Sequence, residues 1–323
     1  MEPAPASVTS IPGQAHGRAV FDEDWWLDAA APGAWDRAEV RWDGVLVGEM
    51  AFHLRRRRLF RYITMPHLTR TQSPRLMPPR DKPALQRGHN LSIVRDLMSK
   101  LPPHDRFERA LDVRCASLQG FVHEGLTATH LFTLRSRTGM TPEQMLSQAQ
   151  DKTRRTIRRA QRECVIEHSS DLNRFIKLHR MSYGCDSAVD YDVLSRLFAA
   201  AHGRGQAEII FTRYLDAADT AAMVIVWDAT TVYSWVIARD PKQNYSGANS
   251  LLIHDAMCTA NRLNRVLDLD SYVRPEVGAF LMKFGLDVEV RPFINGANHL
   301  WRGYHATRSF LRPNRYDRTF RVS

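Results

Sequence analysis

Between residues 38 and 53 apolar and polar positions alternate around an Asp43-Gly44 pair, which predicts a β-hairpin over Ala38–Trp42 and Val45–His53. The Asp-Gly pair supplies the positive φ angles that a tight hairpin turn demands. Upstream, Asp22–Ala31 reads as a short helix closed by Pro32 and Gly33. Downstream, Leu59–Met65 predicts a third strand, followed by a Pro-, Arg- and Thr-rich loop, Pro66–Pro83, too long for a plain connection. A helix over Ala84–Lys100 stops at Leu101-Pro102-Pro103. A strand near Arg109–Val113, a short helix near Ser117–Gly125 and a strand over Thr127–Arg135 complete a first half.

The second half opens on Thr141-Pro142-Glu143, a capping residue with proline at the first helical position. Its helix places Met145, Ala149, Thr153, Ile157 and Ala160 at four-residue spacing, so one face is apolar. Helices near Asp171–Tyr183 and Tyr191–His202 lead to strands over Ala207–Tyr214, Ala221–Trp227 and Thr231–Arg239. Then follow helix Gly247–Leu263, strand Val266–Leu269, helix Pro275–Phe284, strand Val288–Phe293 and a last strand near His299–Ala306. Both halves run through three strands, helix, strand, helix, strand. The pattern predicts an α/β chain with two mixed sheets, one per half: residues 21–136 and residues 141–306, between a flexible stretch at 1–20 and a basic tail at 307–323.

Composition narrows the class. The chain has 323 residues, 44% hydrophobic and 25% charged, which suits folded domains rather than a disordered polymer. No apolar run reaches the ~20 residues of a membrane span. The start lacks the basic and apolar regions of a secretory signal, so the expected address is cytoplasmic, with no membrane partner. Cys115, Cys164, Cys185 and Cys258 form no C-x-x-C pair, and the histidines form no H-E-x-x-H, so neither a disulfide framework nor a metal site is expected. Lys plus Arg number 45 against 35 Asp plus Glu, a net charge of +10 that favours a polyanionic partner or reflects an arginine-rich surface.

Five segments carry a resemblance: Asp24-Trp25-Trp26-Leu27-Asp28-Ala29, Met65-Pro66-His67-Leu68-Thr69-Arg70-Thr71, Arg154-Arg155-Thr156-Ile157-Arg158-Arg159-Ala160, Ser246-Gly247-Ala248-Asn249-Ser250-Leu251-Leu252 and Phe280-Leu281-Met282-Lys283-Phe284-Gly285. In order and spacing the chain resembles the GNAT superfamily, and within it the tandem-GNAT Fem-type aminoacyltransferases, over about residues 20–295. The resemblance implies two GNAT-like domains with the donor site in the second. GNAT enzymes hold a pyrophosphate on a helix N-terminus through Q/R-x-x-G-x-G/A, because unpaired N–H groups and the helix dipole suit phosphate. Here the segment reads Gln243-Asn244-Tyr245-Ser246-Gly247-Ala248, with serine for the first glycine. Gln243, Ser246, Gly247, Ala248 and Asn249 are the implied donor-binding residues; a glycine-containing turn capped by Ser246 would read the same.

Further candidates surround that loop. Arg155, Arg158 and Arg162 lie in a basic helical stretch that suits a phosphate-rich donor, or simply forms a solvated face. The arginines of residues 302–321 alternate with Tyr304, Phe310, Tyr316 and Phe320, a pattern that suits RNA or a loosely docked tail. Asp268 and Asp270 end a strand, where open α/β sheets gather ligands. They are candidates to hold the acceptor amine or take its proton, although Asp270 also reads as a helix cap. Tyr272 is a candidate acid for the leaving group. Lys283 would polarise the acyl carbonyl or stand exposed on its helix. His67, Thr69 and Arg70 are the candidate acceptor-binding residues.

The expected function is therefore N-acyl transfer with no permanently bound cofactor. The co-substrate is aminoacyl-tRNA, favoured by the basic charge and the imperfect pyrophosphate loop, or an acyl-CoA thioester; the acceptor is a small amine. A non-catalytic RNA- or nucleotide-binding tandem module is the competing class.

Overall fold

The Asp43-Gly44 turn forms as its residues require, with φ of 50° and 80°, and joins strand β1 (Trp35–Trp42) to β2 (Val45–Arg57). The computed structural model describes residues 18–77, 82–115, 117–184, 187–214, 218–243, 245–271 and 275–311. A 3-10 turn (Val20–Asp22) and α1 (Asp24–Ala30) precede the hairpin. β3 (Phe60–Thr64), a short β4 (Arg75–Leu76), α2 (Pro83–Ser99), β5 (Arg106–Ala110), α3 (Leu118–His123) and β6 (Thr127–Arg135) follow.

The second half begins with α4 (Pro142–Gln148), where Thr141 and Gln144 form the reciprocal capping pair that the Thr-Pro start announces. The single long helix expected from here is two helices: α5 (Asp151–Glu163) restarts after a break at Ala149-Gln150. The Gln150 N–H bonds the Lys283 carbonyl at 3.0 Å instead of continuing the helix. β7 (Cys164–Ser169), α6 (Leu172–Tyr183), α7 (Tyr191–His202), β8 (Ala207–Tyr214), β9 (Asp219–Trp227), β10 (Thr231–Arg239), α8 (Ser246–Arg262), β11 (Val266–Ser271) and α9 (Pro275–Leu281) continue the chain. A 3-10 turn (Met282–Phe284), β12 (Asp287–Ala297) and α10 (His299–Leu311) close it. The strand expected at 299–306 is thus helical, and residues 312–323 of the basic tail lie outside the described residues.

The two halves share their element order, and each carries one parallel strand pair across its first sheet-to-sheet helix: β3 with β5, and β10 with β11. The expectation of two separate sheets fails. Among the described residues the strands form one continuous sheet, β1-β2-β3-β5-β12-β6-β11-β10-β9-β8-β7, with β4 on β2. The reason is a reciprocal exchange. β12, the last strand of the second half, pairs with β5 of the first; β6, the last strand of the first half, pairs with β11 of the second. β6 and β12 then pair antiparallel along Asp287↔Arg135 to Asn295↔Thr127.

Apolar clusters cover both faces. On one face α1, α6 and α7 bury Trp26, Phe175, Leu194 and Phe198 against Ala51, Tyr233 and Trp235, spanning the two halves. On the other, α2 and α3 pack Ile93, Leu97 and Phe121 on the first half. There α5 and α8 pack Ile157, Leu252 and Ala256 on the second. Burial at ~25 cal/mol per Å² of apolar surface makes these three clusters the main source of stability.

Candidate functional site

Parallel pairing between β10 and β11 runs from Thr231↔Val266 to Tyr233↔Asp268 and then stops. Beyond that point β10 shifts register against β9 between Ser234 and Val236, a bulge centred on Trp235. A bulge leaves one residue outside the ladder and bends its strand. The two strands part, and a wedge opens at their carboxyl ends, where ligands collect in such sheets.

Arg70 fills the mouth of this wedge from the loop after β3, in the first half. Its guanidinium donates to the Trp235 carbonyl on β10 and pairs with Asp270 on β11 at 2.9 Å. The loop is held there by two indoles: Trp235 Nε1 donates to the Leu68 carbonyl (2.9 Å), and Trp26 Nε1 donates to the Thr69 hydroxyl (3.1 Å). Thr69 is therefore a buried anchor of the loop rather than a free contact for an acceptor. His67 Nε2 accepts the Asp190 N–H at 2.9 Å, which pins the loop to the start of α7. Burial lowers the pKa of His67, so the ring keeps this acceptor nitrogen.

Asp270 has φ of 64°, a left-handed conformation that costs energy in any residue but glycine. Its N–H bonds Asp268 Oδ1 at 2.8 Å, a local turn that short acidic side chains support. The carboxyl is aimed at Arg70 and at Arg291 of β12. Asp268 is enclosed more completely: it takes Arg291 (3.1 Å), Arg135 of β6 (3.3 Å) and the Thr133 hydroxyl (2.6 Å). Its acceptors are occupied, so the acid–base role expected of Asp268 gives way to that of a fixed counter-charge. Burial pulls the Arg291 guanidinium down, but Asp268 and Asp270 outweigh it and hold its pKa above normal. The chain exchange is what builds this network, since Arg291 and Arg135 lie on the two exchanged strands.

The other expected residues fall into three places. Tyr272 lies outside the described residues. Lys283 is exposed on the 3-10 turn after α9 and makes no hydrogen bond or ion pair to Asp268 or Asp270 among the described residues. Gln243, Gly247, Ala248 and Asn249 gather at the start of α8, with the Gln243 side chain accepting the Thr220 hydroxyl at 2.8 Å. Ser246 is the first helical residue, and the cap position is Tyr245, which makes no side-chain cap bond. Gly247 does not have a left-handed backbone. It is small for a different reason: a Cβ would come within 2.6–2.9 Å of the Tyr245 ring. That ring stacks on Tyr214 (4.4 Å between centroids) and donates its hydroxyl to Glu163 at 2.8 Å. Arg159 first, then Tyr245, lower the pKa of Glu163, so a carboxylate charge stands beside the helix start.

α5 packs along α8 and turns Lys152, Arg155, Arg158 and Arg162 outward; all four are exposed and form no ion pair among the described residues. Sequence reading missed Arg291, Arg135 and Tyr245. Only Tyr245 gave a signal, as an aromatic inside the expected pyrophosphate loop.

Comparison with known proteins gives a domain match and a likeness of fold. Residues 147–271 match the profile of the acetyltransferase (GNAT) domain family. No curated protein matches the chain. Among solved structures, FemX superposes with a TM-score of 0.63 at 13% identity, over 85% of this chain and 91% of its own. A tandem GNAT protein from the clavulanic acid biosynthesis pathway gives 0.52 at 10% identity, over 84% and 87%. The L-PGS of Bacillus licheniformis gives 0.54 at 10% identity, over 88% and 90%. At these identities the likeness is one of fold.

Proposed function

We propose that the chain, whose residues 147–271 match the acetyltransferase (GNAT) domain and whose fold is like those of FemX and a tandem GNAT protein, is an N-acyltransferase that joins an aminoacyl group from aminoacyl-tRNA to an amine. The wedge between β10 and β11, with Arg70 and Asp270 at its mouth, is the observation that carries the reading. An activated ester laid in the wedge meets the Arg70 cation, which suits the negative charge that develops on the carbonyl oxygen in the transition state. The neutral amine attacks the ester carbon, the bond from that carbon to the ribose oxygen breaks, and the leaving ribose oxygen takes up the proton that the amine loses. Asp270 would orient the amine by exchanging its Arg70 partner for the incoming nitrogen.

The start of α8 favours tRNA over coenzyme A as donor. A pyrophosphate needs close approach to the N–H groups there, and the Tyr245 ring and the Glu163 carboxylate occupy that approach. The exposed basic face of α5 beside it suits an RNA backbone. The test is initial rate with acetyl-CoA and with a pool of aminoacyl-tRNAs. The wild type should use the tRNA pool, and Arg155, Arg158 and Arg162 all changed to Gln should reduce the slope of log affinity against log salt by about 2–3. Tyr245→Ala should open the helix start and raise coenzyme A affinity. Turnover of acetyl-CoA alone by the wild type would replace the donor with acyl-CoA; turnover of neither, with tRNA still bound, would favour an RNA-binding module.

A further inference from the structure

The first half has a wedge of its own. Pairing between β3 and β5 stops at Ile63↔Phe107, as it does between β10 and β11. Residues 65–73 fill this first wedge: the Gln72 N–H bonds the Ala110 carbonyl at 2.8 Å, and the Ser73 hydroxyl accepts the Asp112 N–H at 2.8 Å. The filling leaves polar atoms without partners. Thr71 Oγ1, both amide atoms of Gln72, and Nε and Nη1 of Arg109 make no hydrogen bond, although each of these residues is only 1% exposed. Arg109 gives its remaining nitrogen to the neutral Ala51 carbonyl at 3.1 Å and lies over the Phe107 ring.

A buried guanidinium without an anion is costly, and native structures pair such groups. The carboxyl acting most on Arg109 is Asp22, yet it forms no ion pair or hydrogen bond with the guanidinium. The cation is left for something else. We propose that the first wedge binds the anionic end of the acceptor, a carboxylate held by Arg109, Gln72 and Thr71, which makes the acceptor an amino-carboxylate.

The spacing supports this class. Gln72 stands in the first wedge and Arg70, two residues earlier, stands in the second, and two residues of chain span at most about 7 Å. A dipeptide or an ω-amino acid has its amine and carboxylate that far apart. Such a molecule reaches Arg109 with one end and presents its amine beside Asp270 with the other.

This inference rests on the acyl-transfer reading for the fate of the amine, but its binding step can be tested without any donor. Saturation-transfer NMR on the full chain would be run with an equimolar set of dipeptides and ω-amino acids, and with the same set as carboxamides. Members of the free-acid set should bind, with the matching carboxamides at least tenfold weaker, and Gln72→Leu should abolish the difference. Gln72→Leu is close in volume and keeps Arg109, so the fold should persist; a melting curve checks this. Equal binding of acids and amides, or no binding with a Gln72→Leu variant merely more heat-stable, would mean that the wedge holds only water and would overturn the proposal. Acid-selective binding without turnover by either donor would leave this site standing and remove the acyl-transfer reading instead.

Discussion

Asp22 is enclosed beneath α1, accepts the Ser73 N–H, and has its carboxyl pushed up to about 8 by burial, with Asp112 adding to the effect. A folded-state pKa above the unfolded value of ~3.9 means that the native protein holds a proton that the unfolded chain releases. The stability this confers is complete below about pH 4 and is lost as pH rises towards 8. One pKa unit corresponds to about 1.4 kcal/mol, so even a quarter of the shift is measurable. Asp22→Asn keeps an acceptor for Ser73 and removes the titration. Urea midpoints at pH 5 and pH 8 should therefore differ less in the variant than in the wild type. Equal pH dependence in the two proteins would sink this account.

At the scale of elements, the junction of α4 with the 3-10 turn after α9 depends on Gly285. Its φ is 71°, and a Cβ would lie 2.6 Å from the Gln148 carbonyl group, a backbone contact that cannot swing aside. Gly285→Ala should destabilise the protein by about 1–3 kcal/mol through strain and overpacking, read from chemical denaturation. Gly285→Ala as stable as wild type would show that α4 moves freely. This junction also explains what sequence could and could not tell. The hairpin was legible because Asp43-Gly44 names its own turn. The break at Ala149-Gln150 was not, because no Gly or Pro marks it and the four-residue apolar spacing runs straight through; its cause, the Lys283 carbonyl, lies 133 residues away in the chain. β7 was missed because it begins directly at the end of α5 without a turn residue. The segment expected as a strand near His299–Ala306 is instead α10, in which Trp301 and Tyr304 share a helical face towards Arg106, Arg58 and Phe60. In the site, Asp270 and Arg70 were legible singly, but their pairing across 200 residues was not.

For the whole molecule, the exchanged strands make the halves inseparable. β5 and β6 are not neighbours; β12 lies between them. Residues 18–136 alone would leave both strands unpaired on those edges, with Leu131 and Leu134 losing the cover of β12 and β11. That fragment should be unfolded or aggregated, and the full chain should unfold in one transition with tryptophan fluorescence and circular dichroism coinciding. A soluble, cooperatively folding 18–136 fragment, or two resolved transitions, would contradict the interlocked arrangement.

The exchange also sets a timetable. A ribosome delivers the chain from its N-terminus, and domains ordinarily fold as they emerge. Here the first half cannot close when residue 136 appears, because the strand that bridges β5 to β6 is still 150 residues from being made. For about half of its synthesis the nascent protein must carry two open sheet edges, which invite pairing with other chains. Only when β12 leaves the ribosome tunnel can both halves, and the arginine–aspartate cluster between them, form at once.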